Sequence, residues 1–370
     1  MGRETLDNKE VININSRSFG SYSFIMFPYR YSLYALLILL FSCKPEKKPP
    51  VLHSFYYWKS GFSLSEAESS KLAQLKTSHL YLHYFDVDWS ETLKMAVPKA
   101  VLRNDIYEDK YLSTVTYTPV IFITNRTFEQ LTMAGSGELA HKISAKIKAV
   151  TTRIKAQLPT YAAREIQIDC DWTTGTRKQY FHFLEAFRKT NPGITVSATI
   201  RLYPYKYPEK MGVPPVDKGM LMCYNLGKIT NPSTQNSIFD LQELRQYLNN
   251  KTYPLPLDLA FPIFGWYTWF RDRQFKRIVY QNETFISDTA VFTREQEHRY
   301  RFLRDTVIDD LYFREGDLLR MEYPDPQALT EAIALMTSKI PGYRHIAFYY
   351  WNLPSITTYE SVIRETFDRY

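Results

Sequence analysis

Two aspartates, a tryptophan and a threonine follow closely on one another in REIQIDCDWTTG, residues 164–175. Side chains alternate along an extended strand, so Asp169, Asp171 and Thr173 are predicted to share one face. Two carboxylates this close repel each other, which raises the pKa of one of them and can make it a proton donor. The alternative is that the two acids are purely structural and hold the layers of the fold together through contacts with Arg201 or Tyr224.

Side chains able to do chemistry also end the other apolar runs of the chain. Carboxylates, amides, hydroxyls and indoles recur there: Trp58; Asp86, Asp88 and Trp89; Asn125 and Arg126; Trp172; Arg201 and Tyr203; Tyr224 and Asn225; Trp266 and Trp269; Tyr350, Trp351 and Asn352. Indole rings stack on the C–H faces of sugars, and carboxylates and amides hydrogen-bond to sugar hydroxyls. This combination favours a glycan or oligosaccharide as the ligand.

The elements that must position these side chains are apolar runs separated, for the most part, by helical stretches. The runs cover residues 52–58, 79–89, 117–124, 165–172, 194–202, 218–227, 255–266 and 343–354. Several are nearly continuous in Val, Ile, Leu, Phe and Tyr, as expected of strands buried on both faces. We therefore predict an α/β fold, a single (β/α)8 TIM barrel over residues 51–370 with an insertion between strands seven and eight. The carboxyl ends of its strands would gather the polar side chains at one rim.

Three short motifs resemble glycoside hydrolase family eighteen, the chitinases and endo-β-N-acetylglucosaminidases. IDCDW (168–172) is similar to the family's strand-four motif D-x-x-D-x-D-x-E, and MCYN (222–225) is similar to its strand-six Met-x-Tyr-Asp. Trp351 matches the strand-eight tryptophan. The resemblance implies catalytic roles for Asp169 and Asp171. It also implies a sugar-binding floor at Trp351, with substrate contacts from Tyr224 and Asn225, and we add Trp58, Asp86, Trp172 and Arg201 as substrate-binding candidates.

The sequence departs from that family where the chemistry is most demanding. The first aspartate of the motif falls on Ile166, the catalytic glutamate on Thr173, and the strand-six aspartate on Asn225. A threonine hydroxyl cannot protonate a glycosidic oxygen at neutral pH. Three hypotheses stay open: a glycosidase using Asp171 with Asp86 or Asp88 across the mouth, a barrel that binds glycans without cleaving them, and a scaffold with structural acids.

Residues 1–50 are predicted to lie outside the fold. From Met26, one arginine precedes a short apolar run that ends in Leu40-Phe-Ser-Cys43, which resembles a signal peptide with a lipobox. Cys43 would then be lipidated, Met26 would be the true start, and KPEKKPP would be a tether. The expected location is the bacterial cell envelope, with membrane attachment through the lipid anchor only.

Composition argues against several other classes of function. The chain has 370 residues and a net charge of +7, but its basic residues are dispersed, so we expect no nucleic-acid partner. The 7 histidines show no metal-ligand spacing, and we expect neither a metal site nor a cofactor. Cys170 and Cys223 lie within apolar runs and are predicted to be packed core thiols.

Overall fold

The structure is a computed structural model, and it describes residues 50–104, 111–248, 252–280 and 288–370. The signal sequence, Cys43 and most of the tether lie outside the described residues. Within the described ranges, no helix combines the length and the apolar character needed to cross a membrane.

Eight parallel strands form a closed barrel, as the sequence predicts. The barrel strands are β1 (Leu52–Tyr57), β2 (His79–Ser90), β3 (Thr116–Ile123), β4 (Glu165–Asp169), β5 (Thr195–Arg201), β6 (Lys218–Met222), β7 (Leu257–Pro262) and β8 (His345–Tyr349). Each strand pairs with the next, β8 pairs with β1, and β1 pairs with β2 to close the ring. The carboxyl ends of all eight strands therefore lie at one mouth.

Helices follow most of these strands and cover the outside of the barrel. Their bounds are Glu66–Gln74, Asn125–Gln130, Met133–Gln157, Arg177–Thr190, Leu202–Lys206, Pro208–Met211, Leu241–Tyr247, Pro326–Lys339, Leu353–Thr358 and Glu360–Arg369. After β2 the chain forms an antiparallel hairpin instead, with Met95–Lys99 paired to the end of β2. After β5 only short helices fit, as the proline-rich segment between β5 and β6 suggests.

A five-stranded antiparallel sheet lies between β7 and β8 in the chain. Its strands, in spatial order, are Gln274–Val279, Trp266–Arg271, Leu318–Glu322, Arg299–Phe302 and Phe292–Gln296. It has its own small apolar core, which includes Tyr267, Trp269, Phe302 and Phe313. The strand of this sheet that comes earliest in the chain, Trp266–Arg271, begins four residues after β7 ends at Pro262. The sheet therefore extends one wall of the barrel mouth.

Polar side chains fill much of the inside of the barrel. Near the amino-terminal ends of the strands, Lys218 Nζ lies 2.7 Å from Glu165 and 2.8 Å from Asp258. One layer higher, the Tyr56 hydroxyl donates a 2.7 Å hydrogen bond to Gln167 Oε1. Because buried charged and polar groups are stable only when they are paired, these contacts hold the strands in register.

Candidate functional site

A cleft of about 510 Å³ opens at the carboxyl ends of the strands. Acidic, basic and aromatic side chains line it: Trp58, Asp86, Phe122, Asp169, Asp171, Arg201, Met222, Tyr224, Asn225, Phe264, Trp266, Tyr280, Tyr349 and Tyr350. We call it the central cleft. Of the substrate or catalytic residues predicted from the sequence, it brings together Trp58, Asp86, Asp169, Asp171, Arg201, Tyr224 and Asn225.

The two strand-four aspartates have different environments within the central cleft. Asp169 is half-buried, and its Oδ1 accepts a 2.6 Å hydrogen bond from the Thr199 hydroxyl on β5. Burial and the neighbouring charge of Asp171 raise the pKa of Asp169 to about 7. Asp171 is exposed and lies 3.2 Å from Arg201 Nη1. The expected carboxylate pair is therefore present, with a half-buried acid that ionises near neutrality and an exposed, ion-paired partner.

A β-bulge on β2 turns Asp86 toward the cleft. The pairing of β2 with β3 shifts register between His83 and Phe85, so one extra residue interrupts the alternation. His83 and Asp86, three residues apart, consequently lie on the inner side, with His83 Nε2 2.7 Å from Asp86 Oδ1. The ring of Trp58 packs on His83 with centroids 4.5 Å apart. The histidine therefore fixes both a carboxylate and an indole of the cleft wall.

Three polar atoms on the cleft wall are buried and have no hydrogen-bond partner among the described residues. They are the Tyr224 hydroxyl, Asn225 Oδ1 and Trp266 Nε1. Together they present a hydroxyl, an acceptor and a donor. A buried polar group without a partner costs about 1–3 kcal/mol, a cost that a ligand or an ordered water reaching these atoms would recover.

Asn225 adopts a left-handed backbone conformation at the end of β6. Its φ is +55°, which asparagine tolerates better than most residues, and its N–H donates to Ile238 O at 2.6 Å. Arg201 Nη2 reaches the Asn225 carbonyl at 3.3 Å. Arg201 therefore links the aspartate side of the cleft to the asparagine side.

A second cleft, of about 410 Å³, adjoins the first. Asp171 and Arg201 line both clefts, and Thr173, Tyr203 and Lys210 line only the second. Thr173 also begins the turn into helix Arg177–Thr190, because its N–H donates to Thr176 Oγ1 at 3.0 Å. Thr173, the position at which the strand-four motif of the chitinases has a glutamate, thus lines the second cleft.

The structure corrects the expected roles of four aromatic and acidic residues. Trp351 is fully buried, packs edge-on against Phe55 and donates to Glu68 at 3.2 Å, so it has no face open to a sugar. Trp172 lines the second cleft instead of the central cleft and is mostly buried, and its Nε1 donates to Met211 O. Trp269 lies in the core of the inserted sheet. Asp88 is ion-paired to Lys99 at 2.6 Å and lines neither cleft.

Sequence reasoning missed several residues of the central cleft. Tyr280 directly follows strand Gln274–Val279 of the inserted sheet, and Phe264 lies in the segment after β7. Tyr349 ends β8 and stacks on Tyr224 with centroids 5.4 Å apart. The alternation of β8 offers a signal for Tyr349, since it shares the inner face with His345. No sequence pattern indicates that Tyr280 reaches the barrel mouth.

The described residues contain no group of three or more His, Cys, Asp or Glu side chains arranged to hold a metal ion. Cys170 and Cys223 are both free and buried, as expected of core thiols. The central cleft itself is lined by carboxylates, a guanidinium, an amide, hydroxyls and aromatic rings.

No protein-family model and no curated protein matches the chain. Its structural neighbours are chitinases and chitinase-like proteins. A chitinase from Bacteroides thetaiotaomicron is 12% identical, with 86% of this chain and 96% of that chain covered and a TM-score of 0.48. A chitinase from Chromobacterium violaceum is 10% identical, with 85% and 98% covered and a TM-score of 0.47. A chitinase-like agglutinin from Robinia pseudoacacia is 12% identical, with 84% and 98% covered and a TM-score of 0.40. At these values the likeness concerns the path of the chain, and function has to be argued from the cleft.

Proposed function

We propose that the central cleft binds a carbohydrate. One observation carries the proposal: Tyr224, Asn225 and Trp266 each present a buried polar atom that has no partner among the described residues, on the wall of one cleft. A sugar hydroxyl both donates and accepts, so one or two sugar units can satisfy a hydroxyl, an acceptor and an indole N–H together. The rings of Trp58, Trp266 and Tyr350 supply the apolar surface on which a sugar ring stacks.

Binding is tested by calorimetry with chitotetraose, cellotetraose and xylotetraose. We expect at least one of these sugars to bind. Tyr224→Phe, which removes only the hydroxyl, should reduce the binding free energy of that sugar by about 1 kcal/mol, roughly a fivefold loss of affinity. Tyr180→Phe is the matched control, because the Tyr180 hydroxyl is also buried without a partner in the described structure but does not line the cleft. Absence of binding to all three sugars would overturn the proposal.

Hydrolysis of a glycosidic bond is a second candidate function. Asp169 lines the cleft with a pKa raised to about 7 by burial and by Asp171, so a large fraction of it is protonated at neutral pH. In the reaction, Asp169 would donate its proton to the glycosidic oxygen as the C–O bond breaks. Water would attack the anomeric carbon and pass its proton to Asp171 or Asp86. Asp169, four residues before Thr173, would supply the acid that Thr173 cannot.

Hydrolysis is tested by incubating each tetrasaccharide in H₂¹⁸O and looking for labelled shorter products by mass spectrometry. If Asp169 is the acid, Asp169→Asn should bind sugar and lower turnover by about 10²–10⁴. Cleavage that survives Asp169→Asn unchanged would assign the proton donor elsewhere. Binding without any labelled product from the unmodified protein would leave carbohydrate binding as the function.

The location of the protein is also a proposal, and it rests on sequence alone. The segment Leu40-Phe-Ser-Cys43 supports lipidation at Cys43 and attachment to the bacterial cell envelope. The barrel would then face a compartment that contains envelope or environmental polysaccharides.

A further inference from the structure

The second cleft differs from the central cleft in charge. Three carboxylates and one guanidinium line the central cleft, from Asp86, Asp169, Asp171 and Arg201. The second cleft has two cations, Arg201 and Lys210, and shares only Asp171 as an acid. A negatively charged group is therefore repelled from the central cleft and attracted to the second cleft.

Lys210 is held in a position that suits a ligand rather than an ion pair. Its Nζ lies 2.9 Å from the Tyr203 hydroxyl and 5.5 Å from the centre of the Tyr203 ring. The Lys210 carbonyl accepts a 3.1 Å hydrogen bond from Arg177, which fixes its backbone. Within the described part of the chain, no carboxylate lies within ion-pair distance of Lys210. Glu209, on the same short helix, does not line the cleft.

Tyr203 adds a stacking surface to this cationic group. Its side chain is 39% exposed, and its ring packs on that of Tyr207 with centroids 4.9 Å apart, so it is a supported and accessible aromatic face. An exposed ring beside an ammonium group suits a sugar ring that bears a negative substituent.

The two clefts meet at the ion pair of Asp171 and Arg201, the two residues that line both. The pair is partly exposed, with side-chain exposures of 54% for Asp171 and 32% for Arg201. A linear ligand that enters both clefts must cross this pair, and its anionic substituent would compete with Asp171 for Arg201.

We propose that the second cleft binds an acidic sugar unit, one bearing a carboxylate or a sulfate, within an oligosaccharide whose neighbouring neutral unit occupies the central cleft. The ligand class is therefore an anionic polysaccharide. This inference rests on the proposed carbohydrate binding and narrows it. A carboxylate and a sulfate share a negative charge, which would pair with Lys210 and Arg201 while the sugar ring stacks on Tyr203.

The test compares three forms each of chitotetraose and cellotetraose: neutral, C6-oxidised to uronate, and 6-O-sulfated. We expect the acidic forms of the better-binding series to bind about tenfold more tightly than the neutral form at 20 mM salt, and the advantage to shrink at 300 mM salt. Preference for the uronate alone identifies a carboxylate, and equal preference for both acidic forms identifies charge alone. Either result supports the proposal.

Lys210→Met removes the ammonium group and keeps the length of the side chain. It should abolish most of the preference for acidic sugars while leaving the affinity for the neutral form within about twofold. Lys206→Met is the control, because Lys206 donates to Gln246 O at 2.7 Å and lines neither cleft. Circular dichroism checks that both variants are folded.

Two results would overturn the inference while carbohydrate binding stands: equal affinity for the neutral and acidic forms, or a preference that Lys210→Met leaves intact. Failure of all six sugars and of xylotetraose to bind would overturn the inference and the proposed function together. The two proposals can therefore fail separately.

Discussion

Thr199 Oγ1 donates a 2.6 Å hydrogen bond to Asp169 Oδ1, across the parallel pair β5 and β4. The bond stabilises the ionised carboxylate and lowers the pKa of Asp169, while burial and Asp171 raise it, and the net pKa is about 7. The balance between these effects decides whether Asp169 carries a proton at neutral pH, and hence whether it can act as an acid.

Replacing Thr199 with valine should raise the pKa of Asp169 further. Valine has nearly the shape of threonine but cannot donate the hydrogen bond, so the ionised form loses its partner. The carboxyl carbon of Asp169, followed by NMR, should titrate at higher pH than in the unmodified protein. If the protein is a hydrolase, the alkaline limb of its activity profile should move in the same direction. An unchanged titration would contradict the assigned role of Thr199.

The raised pKa of Asp169 also predicts how stability depends on pH. Its ordinary pKa is 3.8, and the folded-state value is about 7. Below pH ~4 the group is protonated in both states. Between pH ~4 and ~7 the unfolded chain releases the proton while the folded chain keeps it, so the free energy of unfolding falls as pH rises. Relative to Asp169→Asn, the unmodified protein should lose on the order of 2–4 kcal/mol across this window.

Urea denaturation at intervals of half a pH unit measures this difference. Asp217→Asn serves as a comparison, because Asp217 pairs with Arg188 at the surface rather than lining the cleft. A constant difference between Asp169→Asn and the unmodified protein from pH 4 to 8 would show that Asp169 has an ordinary pKa.

Trp266 and Trp351 should respond in opposite ways to the same substitution. Trp266→Phe keeps a ring in the cleft but removes an unpartnered N–H, so it should weaken sugar binding about fivefold and change stability little. Trp351→Phe breaks a buried bond to Glu68 and leaves a gap beside Phe55. It should lower the free energy of unfolding by about 2 kcal/mol and leave affinity unchanged. The reverse pattern would restore Trp351 as the sugar-binding residue.

Arg320 should be among the most sensitive positions of the inserted sheet. Its guanidinium is 1% exposed, pairs with Glu322 at 2.8 Å and donates to the carbonyls of Ile229, Asn231 and Thr234 in the loop after β6. Arg320→Met leaves the Glu322 carboxylate buried without its cation, which typically costs about 3–5 kcal/mol. Arg277→Met, at an exposed position on the same sheet, should change stability by no more than about 0.5 kcal/mol.

Cys43→Ser tests the proposed lipid anchor. In a bacterial host, the full chain should fractionate with membranes and incorporate labelled palmitate, and the variant should do neither. Translation begun at Met26 should give the same mature product. A Cys43→Ser variant that stays in the membrane fraction would contradict the lipoprotein proposal.

The barrel was predictable because its strands are nearly continuous apolar runs at regular intervals, and such runs need both faces covered. Asp169, Asp171, Arg201 and Asn225 were found because strand ends converge by topology alone. Three features follow from other causes. Asp86 was also predicted as a site residue from its place at a strand end, but its inward direction depends on a one-residue bulge, and a bulge leaves no periodic signal. Tyr280 reaches the cleft because it follows strand Gln274–Val279 of the inserted sheet, whose position the sequence does not predict. The sugar-binding role predicted for Trp351 is wrong because an indole that follows a strand can pack in the core as readily as it can form a sugar-binding floor.

The polar inner wall of the barrel has a consequence for assembly. Lys218 on β6 is paired with Glu165 on β4 and Asp258 on β7, while Tyr56 on β1 is bonded to Gln167 on β4. A chain cut between β4 and β5 would separate Glu165 from Lys218, whereas the Lys218–Asp258 and Tyr56–Gln167 contacts would each stay within one fragment. The first fragment would keep the largely buried Glu165 carboxylate without its cation, which is costly, so the Glu165–Lys218 pair favours the closed ring over two separate halves. We expect separately produced halves to be more stable when mixed than when kept apart.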